Sequence, residues 1–386
     1  MIKIIKIIFF SILIFGHLFL TLNRANGNEK IAIGLLVPMT GTNKELGDSI
    51  IKAVRLAVKD IDSDLIEIIP RDTNAKPEKT LKSALELKDK GIKIVIGPIF
   101  YESLLYLDQV NDLTFLSLTN KTLNLPSNVI SAGINSMSQF NTIKKFLKLN
   151  EIKKTISLIP MQDYEFEIKE GIKKSKIKLH KEYVYSTDPT KLTDQIENIT
   201  NYKIRKQNLE DEIFRVKNSN DNNKEKKIKK LEQRYSLGGL NFDAIVIADF
   251  DESLKSVSTS LLYTDVSPKN KYFITLNQWF DADLLNEIDI QPLYYPSINK
   301  KNFENYNNKF FKEFNETPTH LSLLSYDLVG LVYYLSLKSN LSNINKMFKK
   351  KSSFKGKIGI FEIKNNKINH KLNFYKIDNK KVIEIF

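Results

Sequence analysis

Along most of the chain, short apolar runs that end on glycine, proline or asparagine alternate with longer stretches whose apolar positions recur every three to four residues. The first pattern is that of a buried strand, the second that of an amphipathic helix. IAIGLLVPMTG, from Ile31 to Gly41, reads as a strand running into a turn, and a helix follows from about Leu46 to Ile61. DLIEIIPRDTNAKP gives a second strand ending near Pro70 and Arg71, then a polar loop and a helix from about Glu78 to Lys90. IKIVIGPIF, from Ile92 to Phe100, is a third strand that stops on Gly97-Pro98 and tips into a helix. LTFLSLTN, from Leu113 to Asn120, and NVISAGIN, from Asn128 to Asn135, supply two more strands. Strands separated by helices of about ten to fifteen residues argue for an α/β fold built on a parallel, doubly wound sheet. Ligands of such sheets sit outside the carboxyl ends of the strands, so the residues after Pro98 are the first place to look for function.

The alternation then restarts. A helix from about Met137 to Leu149 leads to the strand TISLIP, a helix from Tyr164 and the strand KEYVYS, which predicts a second lobe of the same kind. Between about Lys191 and Leu240 the pattern becomes charged and helical. Leu209, Ile213 and Val216 fall at helical spacing before SNDNN, and Ile228, Leu231 and Tyr235 continue after it, so two helices joined at Asn218 to Asn223 form an insert in the second lobe. FDAIVIAD and KYFITLNQW return to strand, helices follow from about Lys301 to Phe314 and Thr319 to Ser336, and the last residues read as a β meander.

Length agrees with this division, since 386 residues exceed one comfortable core and favour two lobes. A formal net charge of +14 raises nucleic acid or a membrane surface as partners. The excess is spread along a chain rich in Lys, Ile and Asn, and no RNA- or DNA-binding motif accompanies it, so a general compositional bias is the simpler reading and nucleic acid is set aside. Lys3 and Lys6 precede an apolar run from Ile7 to Leu22, and Ala25-Asn26-Gly27 offers small residues at a cleavage site. This is the pattern of a secretory signal over residues 1–27, with Asn28 first in the mature chain. An uncleaved anchor is the alternative, because the run is near the short end of what spans a bilayer. Cysteine is absent, which leaves no disulfide framework and no thiol for a lipid anchor. A soluble, exported periplasmic protein is expected.

Catalytic groups are sparse. His17 lies in the signal, and His180, His320 and His370 are scattered with no second ligand at metal spacing. There is no nucleophile elbow, P-loop or HExxH pattern. No catalytic residue, cofactor or metal is therefore assigned, and an enzyme is not expected.

Taken together, IAIGLLVPMTG with its Leu46-Gly47 helix start, VIGPIFYESL, FLSLTN, FDAIVIAD, SYDLVGLVYYL and the closing FKGKIGIFEI resemble the type I periplasmic binding protein family. The resemblance covers nearly the whole mature chain. It extends to the branch with branched-chain amino acid binding proteins and penicillin-binding protein activators. PRDTN, the Gly97-Pro98 pair and the basic insert running into LGGLNFDAIVIAD are similar to the activators. The family fold implies two lobes joined by hinge crossovers, here placed near Ile134, Ser297 and Lys351. Lobe I is then 28–134 with 298–350, and lobe II is 135–297 with 351–386, carrying the insert at about 191–240.

In amino acid binding relatives, a small hydroxyl residue three places after the proline, and residues of the next strand loop, hold the ligand's carboxylate and ammonium. The matching places here are Tyr101, with Ser103 just beyond, and Thr119, Asn120 and Lys121. A tyrosine at 101 keeps the hydroxyl but projects it further, and it also suits a lid over the cleft with Ser103 capping the helix. That helix would present free amides to an anion. Tyr164 matches an aromatic place at the mouth of the second lobe, although Glu165 follows where relatives have glycine. Asp249 either pairs with a ligand ammonium or belongs to a helix N-cap cluster. Asp72 reads as a turn-former. The resemblance implies a receptor closing on a small polar or anionic solute, amino acid-like or cell-wall-derived, with a membrane permease as partner. The alternative is a regulator of cell-wall synthesis acting on a penicillin-binding protein through protein contacts. The insert from Lys203 to Arg234, with about eleven basic against six acidic residues, is a hairpin whose outer face suits an acidic partner or a membrane surface.

Overall fold

The computed structural model describes residues 30–338 and 344–386. The signal expected at 1–27 lies outside them. In the first lobe, β1 (Ile31–Val37), β2 (Ile66–Asp72), β3 (Ile94–Ile96), β4 (Thr114–Ser117) and β5 (Val129–Ser131) form one sheet in the order β2-β1-β3-β4-β5. Every pairing in it is parallel. The apolar runs read from the sequence are these strands, and β3 sits at the centre with all three residues buried. Gly97 must be glycine: its φ is +97°, and an added Cβ would stand 2.2 Å from the Leu36 carbonyl oxygen.

Helices α1 (Lys44–Ile61) and α2 (Pro77–Asp89) are the crossovers of this lobe. The helix expected after Pro98 is not formed. Instead two single 3₁₀ turns, Glu102–Leu104 and Leu107–Gln109, carry the chain to β4. Turns this short present no aligned row of free amides, so the expected anion site at a helix N-terminus is absent there.

The second lobe contains α3 (Ser136–Leu149), β6 (Thr155–Pro160), α4 (Glu165–Ser175), β7 (Lys181–Tyr185) and α5 (Pro189–Thr200). The insert follows as α6 (Tyr202–Lys217) and α7 (Lys224–Glu232), joined where the sequence places the break. Leu192 and Ile196 of α5 lie in the second lobe's core, so α5 is the crossover helix between β7 and β8, and the insert proper begins at α6. The chain continues through β8 (Ala244–Ile247), α8 (Asp251–Tyr263), β9 (Tyr272–Thr275) and β10 (Leu293–Ser297). It then returns to the first lobe as α9 (Lys300–Phe314), α10 (His320–Ser336) and α11 (Ile344–Lys349).

The last strands divide between the lobes, which differs from the expectation that 351–386 belongs to lobe II. β11 (Ser352–Lys355), β12 (Ile360–Lys364) and β13 (Lys367–Lys371) make a small antiparallel sheet. Its Phe361, Ile363 and Ile368 are buried in the same cluster as β1, α1 and α10. Only β14 (Asn373–Asp378) and β15 (Lys381–Glu384) join the second sheet, as the antiparallel end of the order β15-β14-β10-β9-β8-β6-β7. The third passage between lobes therefore falls at about residue 372 and not near Lys351. Alternating burial along β12, with Phe361 and Ile363 inward, is the physical reason: those side chains have a partner core only in the first lobe.

Candidate functional site

A cavity of about 370 Å³ lies where the two lobes face each other. The first lobe contributes the loop Ile99–Glu102 after β3, Leu118–Lys121 after β4, and Gly133-Ile134 after β5. The second lobe contributes Gln139 from α3, Phe250 after β8, and Asn277 and Trp279 after β9. Leu321 and Leu324 of α10 close the apolar side. Nearly every contributing loop leaves the carboxyl end of a parallel strand, as the topology of such sheets requires.

The first-lobe wall is rigid because its polar groups bond one another. The Ser117 hydroxyl donates to the Pro98 carbonyl (2.7 Å), and the Ser131 hydroxyl to the Thr119 carbonyl (2.7 Å). Thr119 Oγ1 accepts the Lys121 amide N–H at 3.2 Å, which turns the chain so that Lys121 reaches the cavity. Gly133 passes so close that an added Cβ would stand 2.5 Å from the Thr119 carbonyl oxygen. The Lys121 ammonium lies 4.7 Å from the centre of the Tyr101 ring, a cation–π contact, and it has no salt-bridge partner among the described residues. The second-lobe wall is also internally satisfied: Asn277 Oδ1 accepts from the Trp279 N–H and the Ser297 hydroxyl, and Gln139 Oε1 accepts from the Asn277 N–H.

Trp279 is the single tryptophan of the chain. It and Phe280 hold φ values of +48° and +61°, which non-glycine residues rarely adopt and which cost of order 1–3 kcal/mol each. That backbone turns both rings off the end of β9 and against the first lobe's core. The Trp279 ring packs 5.4 Å from His320, and Phe280 meets Phe303 of α9 and Tyr375 of β14. Burial among these rings pushes the His320 imidazole below its ordinary value, against the pull of Asp281, so it is held neutral near pH 7.

Of the residues expected from sequence, Tyr101, Thr119 and Lys121 line this cavity. Ser103 does not: it is buried in the 3₁₀ turn and its hydroxyl has no partner among the described residues. Tyr164 and Asp249 stand behind the wall. Asp249 is buried and accepts hydrogen bonds from the hydroxyls of Tyr164 (3.1 Å), Tyr185 and Ser253 (2.5 Å) and from the Phe250 N–H (2.9 Å). With four donors spent on it, that carboxylate is not available to a ligand ammonium. It braces Phe250, whose ring meets Tyr164 edge-on at 5.9 Å and lines the cavity. Asp72 is a loop clamp. It accepts from Met39, Thr40, Asn74 and Lys79, and despite burial those donors hold its carboxyl far below the usual range.

Sequence reasoning did not single out Trp279, Gln139, Phe250 or Asn277. The one available signal was a lone tryptophan at the carboxyl end of a predicted strand. A contact between lobes was equally invisible: Glu167 of α4 accepts from the N–H groups of Thr122 and Leu123 (both 2.8 Å) and the Thr122 hydroxyl (3.0 Å) in the loop that follows Lys121. This clasp closes the cleft's edge.

Comparison with known proteins fits the architecture. Residues 30–197 match the family model described as periplasmic binding protein, a match that ends where the helical insert is about to begin. No curated protein sequence matches. Among solved structures, the C-domain of LpoA from Haemophilus influenzae, described as a regulator of PBP1A, superposes with a TM-score of 0.61 at 15% identity, covering 92% of this chain and 100% of that one. This is the type I periplasmic binding protein fold. An ABC transporter substrate-binding protein from Desulfitobacterium hafniense, in complex with leucine, shares it with a TM-score of 0.60 at 16% identity, covering 92% of this chain and 100% of that one. Against full-length LpoA of Haemophilus influenzae the score is 0.62 at 14% identity over 92% of this chain, which spans 59% of that protein. The binding-protein fold read from the sequence is thus observed, and its structural neighbours include both a solute-binding protein and a PBP1A regulator.

Proposed function

We propose that the chain is an exported binding protein that holds a small polar or anionic solute between its lobes. The cavity itself is the observation that supports this most: strand-end loops of both lobes line it with Phe250, Trp279 and, beside the Tyr101 ring, the Lys121 ammonium, which has no salt-bridge partner among the described residues. An ammonium without a carboxylate partner attracts an anionic group, and the aromatic and leucine walls take an apolar body beside it. The committed state of Asp249 leaves Glu102, an exposed residue, as the carboxylate in the cavity lining. The group that matches is an amino acid-like or cell-wall-derived carboxylate. The chain acts by binding and closing, with no chemical step assigned to it.

A thermal-shift screen tests the reading. A solute that binds only the native state raises the melting temperature. Lys121→Ala should abolish the shift for an anionic hit while leaving the unliganded melt unchanged.

The helical insert favours a second reading, that of a regulator which meets a penicillin-binding protein through protein contacts. It projects from the second lobe, carries exposed basic residues, and lies outside the span that matches the family model. Deletion of residues 203–234 should abolish capture of such an enzyme by the wild-type chain. Capture unchanged by the deletion removes the insert from that role.

A further inference from the structure

The insert offers a surface whose chemistry is more specific than a basic excess. From Lys224 to Arg234 the chain carries six basic and two acidic residues in eleven positions. Helix α7 has no buried residue, and among the described residues only Lys227 of its lysines is paired, with Asp221. The base is fixed by the buried Arg205 guanidinium, which donates to the Thr264 carbonyl (3.0 Å) and the Ser236 hydroxyl (2.6 Å). The hairpin is therefore held to the body at one end, and its basic helix stands in solvent.

The same hairpin exposes large apolar side chains. Phe214 is 70% exposed, Tyr235 76% and Ile204 63%. At about 100° per residue, Phe214 points roughly 140° to 160° away from Leu209 and Val216, the residues that α6 buries. Its ring is directed outward and has no place in the fold's core.

We propose that this hairpin docks the protein on a bilayer surface rich in anionic phospholipid. Lysines on a short helix are flexible point charges, which suit a diffuse array of anionic headgroups. Of the three arginines in the insert, Arg205 is buried and Arg215 is paired with Glu212, so the free cations are lysines and Arg234. Outward Phe214 and Tyr235 supply the apolar groups that a bilayer interface takes in beside lysines. Docking by this hairpin leaves the solute cleft free, because the insert and the cleft share no lining residue.

Co-sedimentation with vesicles tests the proposal, using residues 28–386, which contain every described element and lack the apolar Ile7–Leu22 run that would itself partition. Vesicles of phosphatidylglycerol and phosphatidylcholine in equal parts should bind the protein at low salt, and vesicles of phosphatidylcholine alone should not. The triple variant Lys226→Glu, Lys229→Glu, Lys230→Glu should bind at least about tenfold more weakly. Phe214→Ser should weaken binding severalfold with no change of charge. A control with Lys82→Glu, Lys90→Glu and Lys93→Glu, exposed lysines of the first lobe, makes the same change in net charge and should keep binding within about twofold. All four positions of the test variants are exposed, and unchanged melting temperatures confirm that the variants fold. Equal binding by the hairpin triple variant and the wild type, or no binding to the anionic vesicles, overturns the proposal. Tighter binding to polyglutamate than to those vesicles overturns it in favour of an acidic protein partner.

Discussion

Removing the Glu167 carboxylate should open the cleft. That side chain is 8% exposed and accepts three hydrogen bonds across the gap, from the Thr122 and Leu123 amides and the Thr122 hydroxyl. A hydrogen bond contributes about 0.5–1.5 kcal/mol net, and more when one partner is charged. When the lobes part, water takes over all three donors, so the clasp favours closure by about 3 kcal/mol, a factor of roughly 100 in the open-to-closed ratio. Glu167→Ala should therefore expand the unliganded protein in small-angle X-ray scattering. It should also shift the emission of Trp279, whose ring rests against the first lobe, to longer wavelength. A saturating ligand should restore both signals. Glu167→Gln, whose one oxygen can take the place of Oε1 for both amides while its NH₂ faces the Thr122 hydroxyl and the charge is lost, should fall between. Scattering and emission identical to wild type in Glu167→Ala would refute the assignment of the clasp as a closing element.

Other expectations follow from groups that the fold buries. His370, whose Nε2 lies 2.8 Å from the Ala132 carbonyl at the first crossover, is pushed down to about 4 by burial. The unfolded chain then takes the proton first, so the His370 contribution is present above about pH 6.5 and is lost as pH falls toward 4, worth about 3 kcal/mol. Asp327, buried against the Lys357 and Ile358 amides, is pushed up to about 7, so its contribution has the opposite sign: present below about pH 4 and lost as pH rises through 7. Urea denaturation should show the stability difference between wild type and His370→Gln growing with pH over that window, and the difference between wild type and Asp327→Asn shrinking. Gly133→Ala should cost about 1–3 kcal/mol in the same assay and displace the Thr119 loop, weakening any ligand-induced shift. Arg205→Met should release the insert, seen as rapid proteolytic nicking between residues 203 and 240 with the remainder of the chain protected.

What the sequence revealed depended on how local the determinant was. β1, β3 and β4 are continuous apolar runs closed by proline, glycine or asparagine, and such runs are legible one segment at a time. The failed helix after Pro98 shows the limit. Phe100 to Gln109 has the composition of a helix, but Ser103, Leu104 and Leu107 must all be buried at once over a short span, and two 3₁₀ turns accomplish it. Assignment of β11–β13 to a lobe depends on which core accepts Phe361 and Ile368, a long-range fact with no local signature. The site divides in the same way. Tyr101, Thr119 and Lys121 lie close in sequence to recognisable strand ends, and they line the cavity. Asp249 was placed at the right strand end, but its hydrogen bonds to Tyr164 and Tyr185 arise between distant segments and consume it. Trp279 reaches the cleft through two consecutive left-handed residues, a backbone conformation that QWFD does not announce.

Trp279 reports directly on solute binding in the interlobe cavity, because it is both the only tryptophan and a wall of the site. Its fluorescence should be followed while amino acids, short peptides and cell-wall fragments are titrated into the wild-type protein and into Lys121→Ala. Solute binding in the cleft should give a saturable change in emission with at least one anionic member of the set, accompanied by a rise in melting temperature, and both should be absent in Lys121→Ala. No saturable change with any of them, or the same response in wild type and Lys121→Ala, would contradict it.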